Sequence, residues 1–88
     1  MGKDEQIKQD FEKACNNIKS ATDLDNETLL TLYGLYKQAI EGDCNTSKPG
    51  FFDPKGQAKW TAWSENKGMD TLTAMRRYSR KVKSILEN

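Results

Sequence analysis

The chain of 88 residues has no histidine, two cysteines, two prolines and one valine. Acid-base and nucleophilic catalysis at neutral pH most often recruits an imidazole, so its absence excludes Ser-His and Cys-His sites. Cys15 and Cys44 are too few for a disulfide scaffold and too far apart for a CxxC site, so free thiols are expected. Cys15 falls in an apolar stripe as a small core residue does, and Cys44 sits in a loop without a basic neighbour to activate it. The carboxylates are scattered, with neither an EF-hand loop nor a His/Cys cluster, and Gly50 and Gly56 match no phosphate-loop spacing. No metal, cofactor or enzymatic activity is expected. No apolar run exceeds three residues, which leaves neither a membrane span nor the apolar core of a signal peptide. Met1-Gly2 opens like a myristoylation signal, but Gln6 stands where Ser or Thr is required, and Leu86-Glu87-Asn88 carries no lipidation cysteine. A cytoplasmic monomer without stable membrane insertion is the expectation.

Charge is balanced, with 14 Lys+Arg against 13 Asp+Glu and a net charge of +1, so no general electrostatic grip on nucleic acid follows. Any anion site must be local. Residues 1–50 carry 6 basic and 9 acidic side chains and residues 51–88 carry 8 and 4, which makes the C-terminal part the better place for it. The length fits a single domain over 1–88 with a thin core.

What the chain does have is helix-forming material: seven Leu, six Ala and many Lys, Glu and Gln. Ile7, Phe11, Ala14, Cys15 and Ile18 share one stripe of a helix over 4–20. A second helix starts at an Asp25 or Asn26 cap and ends at Gly42; its apolar arc from Leu29 to Ile40 is wide enough for more than one neighbour. Residues 43–54, broken by Pro49, Gly50 and Pro54, form a connection long for a small bundle. A third helix covers about 55–67 with Trp60 and Trp63 as core anchors, Gly68 ends it, and Asp70 caps a fourth holding Leu72, Met75, Tyr78, Val82 and Ile85. The class is all-α, four helices with an overhand loop between the second and third.

Tyr33, Tyr36 and Lys37 stand at i, i+3 and i+4 on the second helix, Lys55 and Lys59 one turn apart on the third, and Tyr78 on the fourth. Ammonium and phenol groups converging from several helices suit a phosphorylated aromatic ligand such as a nucleotide. The same residues also fit partly buried tyrosines beside a snorkelling lysine, the pattern of a helical protein-interaction module. The basic arc of the fourth helix, Arg76 to Lys83, is ordinarily a solvated face, and otherwise a contact for nucleic acid or a membrane surface.

Read in order, Leu32-Tyr33-Gly34-Leu35-Tyr36-Lys37-Gln38-Ala39, Gly42-Asp43-Cys44-Asn45, Lys48-Pro49-Gly50, Lys59-Trp60-Thr61-Ala62-Trp63 and Lys67-Gly68 closely resemble the acyl-CoA-binding protein family, also called diazepam-binding inhibitor. The resemblance runs from Phe11 to the last helix with Ala74-Met75 and Tyr78. It implies a bundle of up-down-down-up order and a carrier and pool former for long-chain acyl-CoA, with no nucleic-acid partner. Tyr33, Lys37 and Lys59 would hold the 3′-phosphate of coenzyme A, Tyr36 would border the adenine, and Tyr78 would pack on the ribose and pantetheine side. By the same resemblance Lys19 and Lys55 approach the nucleotide, and Leu29 and Leu30 flank the acyl chain. Two positions depart from the family pattern: Gln57 replaces a frequent second lysine, and Ser79 replaces an aliphatic side chain on the face toward the first helix.

Overall fold

A computed structural model describes residues 2–87. Four helices follow one another: α1 (Lys3–Asn17), α2 (Asn26–Glu41), α3 (Pro54–Ser64) and α4 (Thr71–Glu87). The expected first helix tightens after Asn17 into a 3-10 turn, Ile18–Ser20. The cap of α2 is Asp25, whose Oδ1 accepts the Thr28 N–H at 2.8 Å, and Gly42 ends the helix with a φ of 80° that glycine adopts without a Cβ penalty. Asp53 takes the Gly56 N–H at 3.0 Å and Pro54 fills the first helical position of α3, where its missing N–H is not needed. That helix ends at Ser64 instead of residue 67. The Ser64 hydroxyl donates to the Thr61 carbonyl and the Asn66 amide to that of Ala62, so local side-chain bonds compete with the last helical turn.

α4 packs against both α1 and α2, and α2 also packs against α3. The core lies along the α1–α4–α2 seam, where Phe11, Leu35, Ala74, Tyr78 and Val82 are buried. α2 and α3 run parallel, because Tyr33 meets Lys59 and Lys37 meets Trp63 as both chains advance. Near the end of α2, Gln38 donates to the Met69 carbonyl just ahead of α4, which therefore runs back along α2. The order is up-down-down-up. Gly34 sets the spacing of α2 and α3: a Cβ there would stand 2.4 Å from the Ala62 carbonyl oxygen. Among the described residues no helix is long and apolar enough to cross a membrane.

The 43–54 connection is fastened by side chains of α3. Trp63 Nε1 donates to the Gly42 carbonyl at 2.8 Å, Trp60 Nε1 to that of Thr46 at 2.8 Å, and Gln57 Nε2 to that of Pro49 at 3.1 Å. Spaced three apart, these donors share one face of the helix. Trp63 is the core anchor expected; Trp60 is only half-buried, and its indole serves the loop.

Candidate functional site

The middle of α2 and the middle of α3 bring Tyr33 and Lys59 together, with Lys59 Nζ 5.5 Å from the Tyr33 ring centroid. One turn on, Lys37 Nζ lies 4.8 Å from the Trp63 ring centroid and is ion-paired with Glu41. Both separations are within the range of cation–π attraction. The hydrogen bond from Lys37 to Glu41 raises the lysine above its ordinary pKa, so it is a cation throughout the neutral range. Lys59 is exposed, whereas Lys37 is half-buried with its ammonium held by Glu41.

Tyr36, 41% exposed, stands on a small aromatic stack. Its ring centroid is 6.0 Å from that of Phe11 and 6.2 Å from that of Tyr78. Tyr78 in turn meets Phe11 edge to face at 5.2 Å. With Phe11 and Tyr78 both buried, the outer face of Tyr36 is a firm platform for a planar ring. Burial, then the neighbouring Cys15 thiol, push the Tyr78 phenol up to about 12, and burial likewise raises the Cys15 thiol. Tyr78 therefore supports the platform from the core side. Lys19, in the 3-10 turn, is exposed and acts electrostatically on Cys15. Lys55 is exposed in the first turn of α3, one turn before Lys59.

Between the first half of α2 and α3 lies an open groove of about 560 Å³, whose lining includes neither Tyr33 nor Lys37 nor Lys59. Leu30, Pro54, Ala58 and Ala62 supply its apolar lining, with Lys48, Gln57 and Glu27 among its polar groups. Leu30 is in the groove, whereas Leu29 stands 48% exposed one position away.

Gln38 was not among the sequence-derived site residues, yet it holds the frame. It is fully buried, and its Nε2 donates to Asp43 Oδ1 and to the Met69 carbonyl, both at 2.8 Å. Asp43 also accepts the Gly68 N–H at 2.9 Å, and these bonds hold its carboxyl below the usual range. A glutamine inside an otherwise apolar arc, between Leu35 and Ala39, was the available signal.

Fold and site together define a small all-helical domain in which lysines and aromatic rings meet across the α2–α3 contact, and in which the same two helices enclose a partly apolar groove. The profile of the family described as "Acyl CoA binding protein" matches residues 8–82. The chain is 49% identical over 82 residues to the acyl-CoA-binding protein of Brassica napus, covering 92% of this chain and 89% of that one. It is 44% identical over 80 residues to the diazepam-binding inhibitor-like 5 of Rattus norvegicus, covering 90% and 92%. The crystal structure of Oryza sativa acyl-CoA-binding protein 2 superposes with a TM-score of 0.92 at 40% identity, over 94% of this chain and 91% of that one. The structure of the Moniliophthora perniciosa protein does so at 0.85 and 35%, over 91% and 80%. The chain belongs to the acyl-CoA-binding protein family.

Proposed function

We propose that this chain binds long-chain acyl-CoA thioesters without turning them over, acting as a carrier and pool former. The observation that carries the reading is the convergence of Tyr33, Lys37 and Lys59 on the contact between α2 and α3, the two helices that also enclose a groove with an apolar lining. The two lysines and the Tyr33 hydroxyl receive the 3′-phosphate, a dianionic group that distinguishes coenzyme A from ordinary adenine nucleotides. Tyr36 borders the adenine, Tyr78 backs it from the core, and Lys19 and Lys55 add positive potential toward the nucleotide. Leu29 and Leu30 flank the acyl chain. Each methylene removed from water contributes about 0.8 kcal/mol, so affinity should climb with chain length until the groove is filled.

Calorimetry with palmitoyl-CoA tests this. Lys37→Ala or Lys59→Ala removes one charge-assisted contact and should weaken binding roughly 10- to 150-fold. The loss should be much smaller with the thioester of 3′-dephospho-coenzyme A, which lacks the group the lysines hold. Folded single variants that bind palmitoyl-CoA within about threefold of wild type would show that the phosphate is held elsewhere.

A further inference from the structure

We propose that the tip of the 43–54 connection, Phe51-Phe52, is a peripheral docking point for an anionic lipid bilayer. Phe51 is 77% and Phe52 92% exposed, with ring centroids 4.6 Å apart. The next most exposed large apolar side chain among the described residues, Ile40, is at 53%. Two stacked phenyl rings standing in water carry a large unfavourable hydration term that a bilayer interface removes.

The tip is held so that the rings face outward. The Asp53 N–H donates to the Gly50 carbonyl at 3.0 Å to close the turn, and Gln57 and Trp60 fasten the carbonyls of Pro49 and Thr46 behind it. A tip anchored in this way presents the rings at little further ordering cost on contact. Its charge has the sign that an anionic surface attracts. Lys48 and Lys55 stand three residues before Phe51 and three after Phe52, and the one carboxylate between them, Asp53, is turned onto the Gly56 N–H.

A second copy of the chain does not fit the same surface. Two phenyl side chains offer roughly 300–500 Å² between them, well below the about 800 Å² per partner of a standard specific interface. A bilayer needs no such area, because interfacial binding grows with each inserted ring and each nearby cation. Lys48 and Pro54 also line the α2–α3 groove, so the tip would place that groove's mouth against the lipid. This last consequence rests on the acyl-CoA reading; the docking itself does not.

The test uses the full chain without ligand, incubated with vesicles of phosphatidylcholine alone or mixed with phosphatidylserine. Binding to the mixed vesicles is expected, and Phe51→Ser/Phe52→Ser should lower the partition coefficient at least about tenfold. Lys48→Gln should lower it roughly fivefold on the anionic vesicles only. Phe52→Trp should add an emission that shifts to the blue and is quenched by brominated lipid. Circular dichroism and the affinity for palmitoyl-CoA in solution should match wild type in the double serine variant. Equal partitioning of wild type and the double serine variant would overturn the proposal, as would an added emission in Phe52→Trp that lipid leaves untouched. So would a dimer in sedimentation equilibrium that the serine substitutions abolish, because the rings would then serve a second copy. Failure of wild type to bind palmitoyl-CoA would sink the ligand reading and leave vesicle binding unaffected.

Discussion

At the scale of single residues, Lys37 is shared between a carboxylate and a ring. Glu41 holds its ammonium while the Trp63 face lies beneath, which keeps the cation at the site edge before any ligand arrives. A ligand phosphate must displace the Glu41 carboxylate or tolerate its charge nearby. Exposed i,i+4 pairs are worth little, so Glu41→Gln should tighten acyl-CoA binding by only about two- to fivefold, read by calorimetry. A weakened affinity would instead make Glu41 the residue that aims Lys37. Gly34 acts through space. Alanine there gains up to about 1 kcal/mol of helix propensity but drives a methyl group into the Ala62 backbone, and overpacking of this kind costs about 1–3 kcal/mol. Gly34→Ala should therefore lower the urea midpoint and weaken acyl-CoA binding by parting Tyr33 from Lys59. A gain in stability would mean that α3 yields without cost. The Tyr33, Tyr36 and Lys37 cluster was legible because i, i+3 and i+4 share a helix face. The need for glycine at 34 was not, because it depends on which backbone approaches from another helix.

At the scale of elements, the least regular segment is among the best fastened. Sequence marked 43–54 as a connection through its prolines and Gly50, but the three donors that pin it come from α3 and reach backbone carbonyls, whose identity leaves no trace in composition. Gln57 illustrates the point. Against the family pattern it reads as a lost lysine, whereas in the structure its amide bonds the Pro49 carbonyl and lines the groove. Ser79 is likewise more than a gap in an apolar arc: its hydroxyl returns to the Met75 carbonyl at 2.9 Å, and it lines a hollow of about 660 Å³ between α1 and α4. The two tryptophans should separate in their energetics. Trp60→Phe removes a bond at the surface and should cost about 0.5–1.5 kcal/mol, with faster amide exchange in residues 44–50. Trp63, only 4% exposed, is the more demanding site, and Trp63→Phe should cost about 1–3 kcal/mol because the Gly42 carbonyl is left without its donor. Urea unfolding of both variants gives the ranking, and the reverse order would show that loop anchoring, not core burial, dominates α3.

At the scale of the whole molecule, stability should have an acid limb and an alkaline limb with different owners. Asp25, Asp43 and Asp70 all have folded-state pKa values below the ordinary carboxylate range: Asp25 and Asp70 through the Thr28 and Thr73 bonds, Asp43 through Gly68 and Gln38. Groups lowered on folding stabilise the native state when ionised, so their contribution is present at neutral pH and fades as pH falls below about 4. Tyr78 works in the opposite sense. Its phenol is raised from 10.0 to about 12, so the unfolded chain ionises first and stability is lost as pH rises across that interval. Melting temperature should therefore be flat from mildly acidic to mildly alkaline pH, with no step near neutrality because the chain has no histidine. The two limbs should separate by substitution. Asp43→Asn should blunt the acid fall while lowering the plateau, since an amide matches the acceptor shape without the charge that strengthens the Gly68 and Gln38 bonds. Tyr78→Phe should keep the packing against Phe11 and make the alkaline limb shallower, leaving the part that comes from the Cys15 thiol, which burial also raises. An alkaline fall of unchanged steepness in that variant would assign it to groups outside the aromatic stack, and Tyr78 would then be a packing residue whose hydroxyl has no part in the pH response.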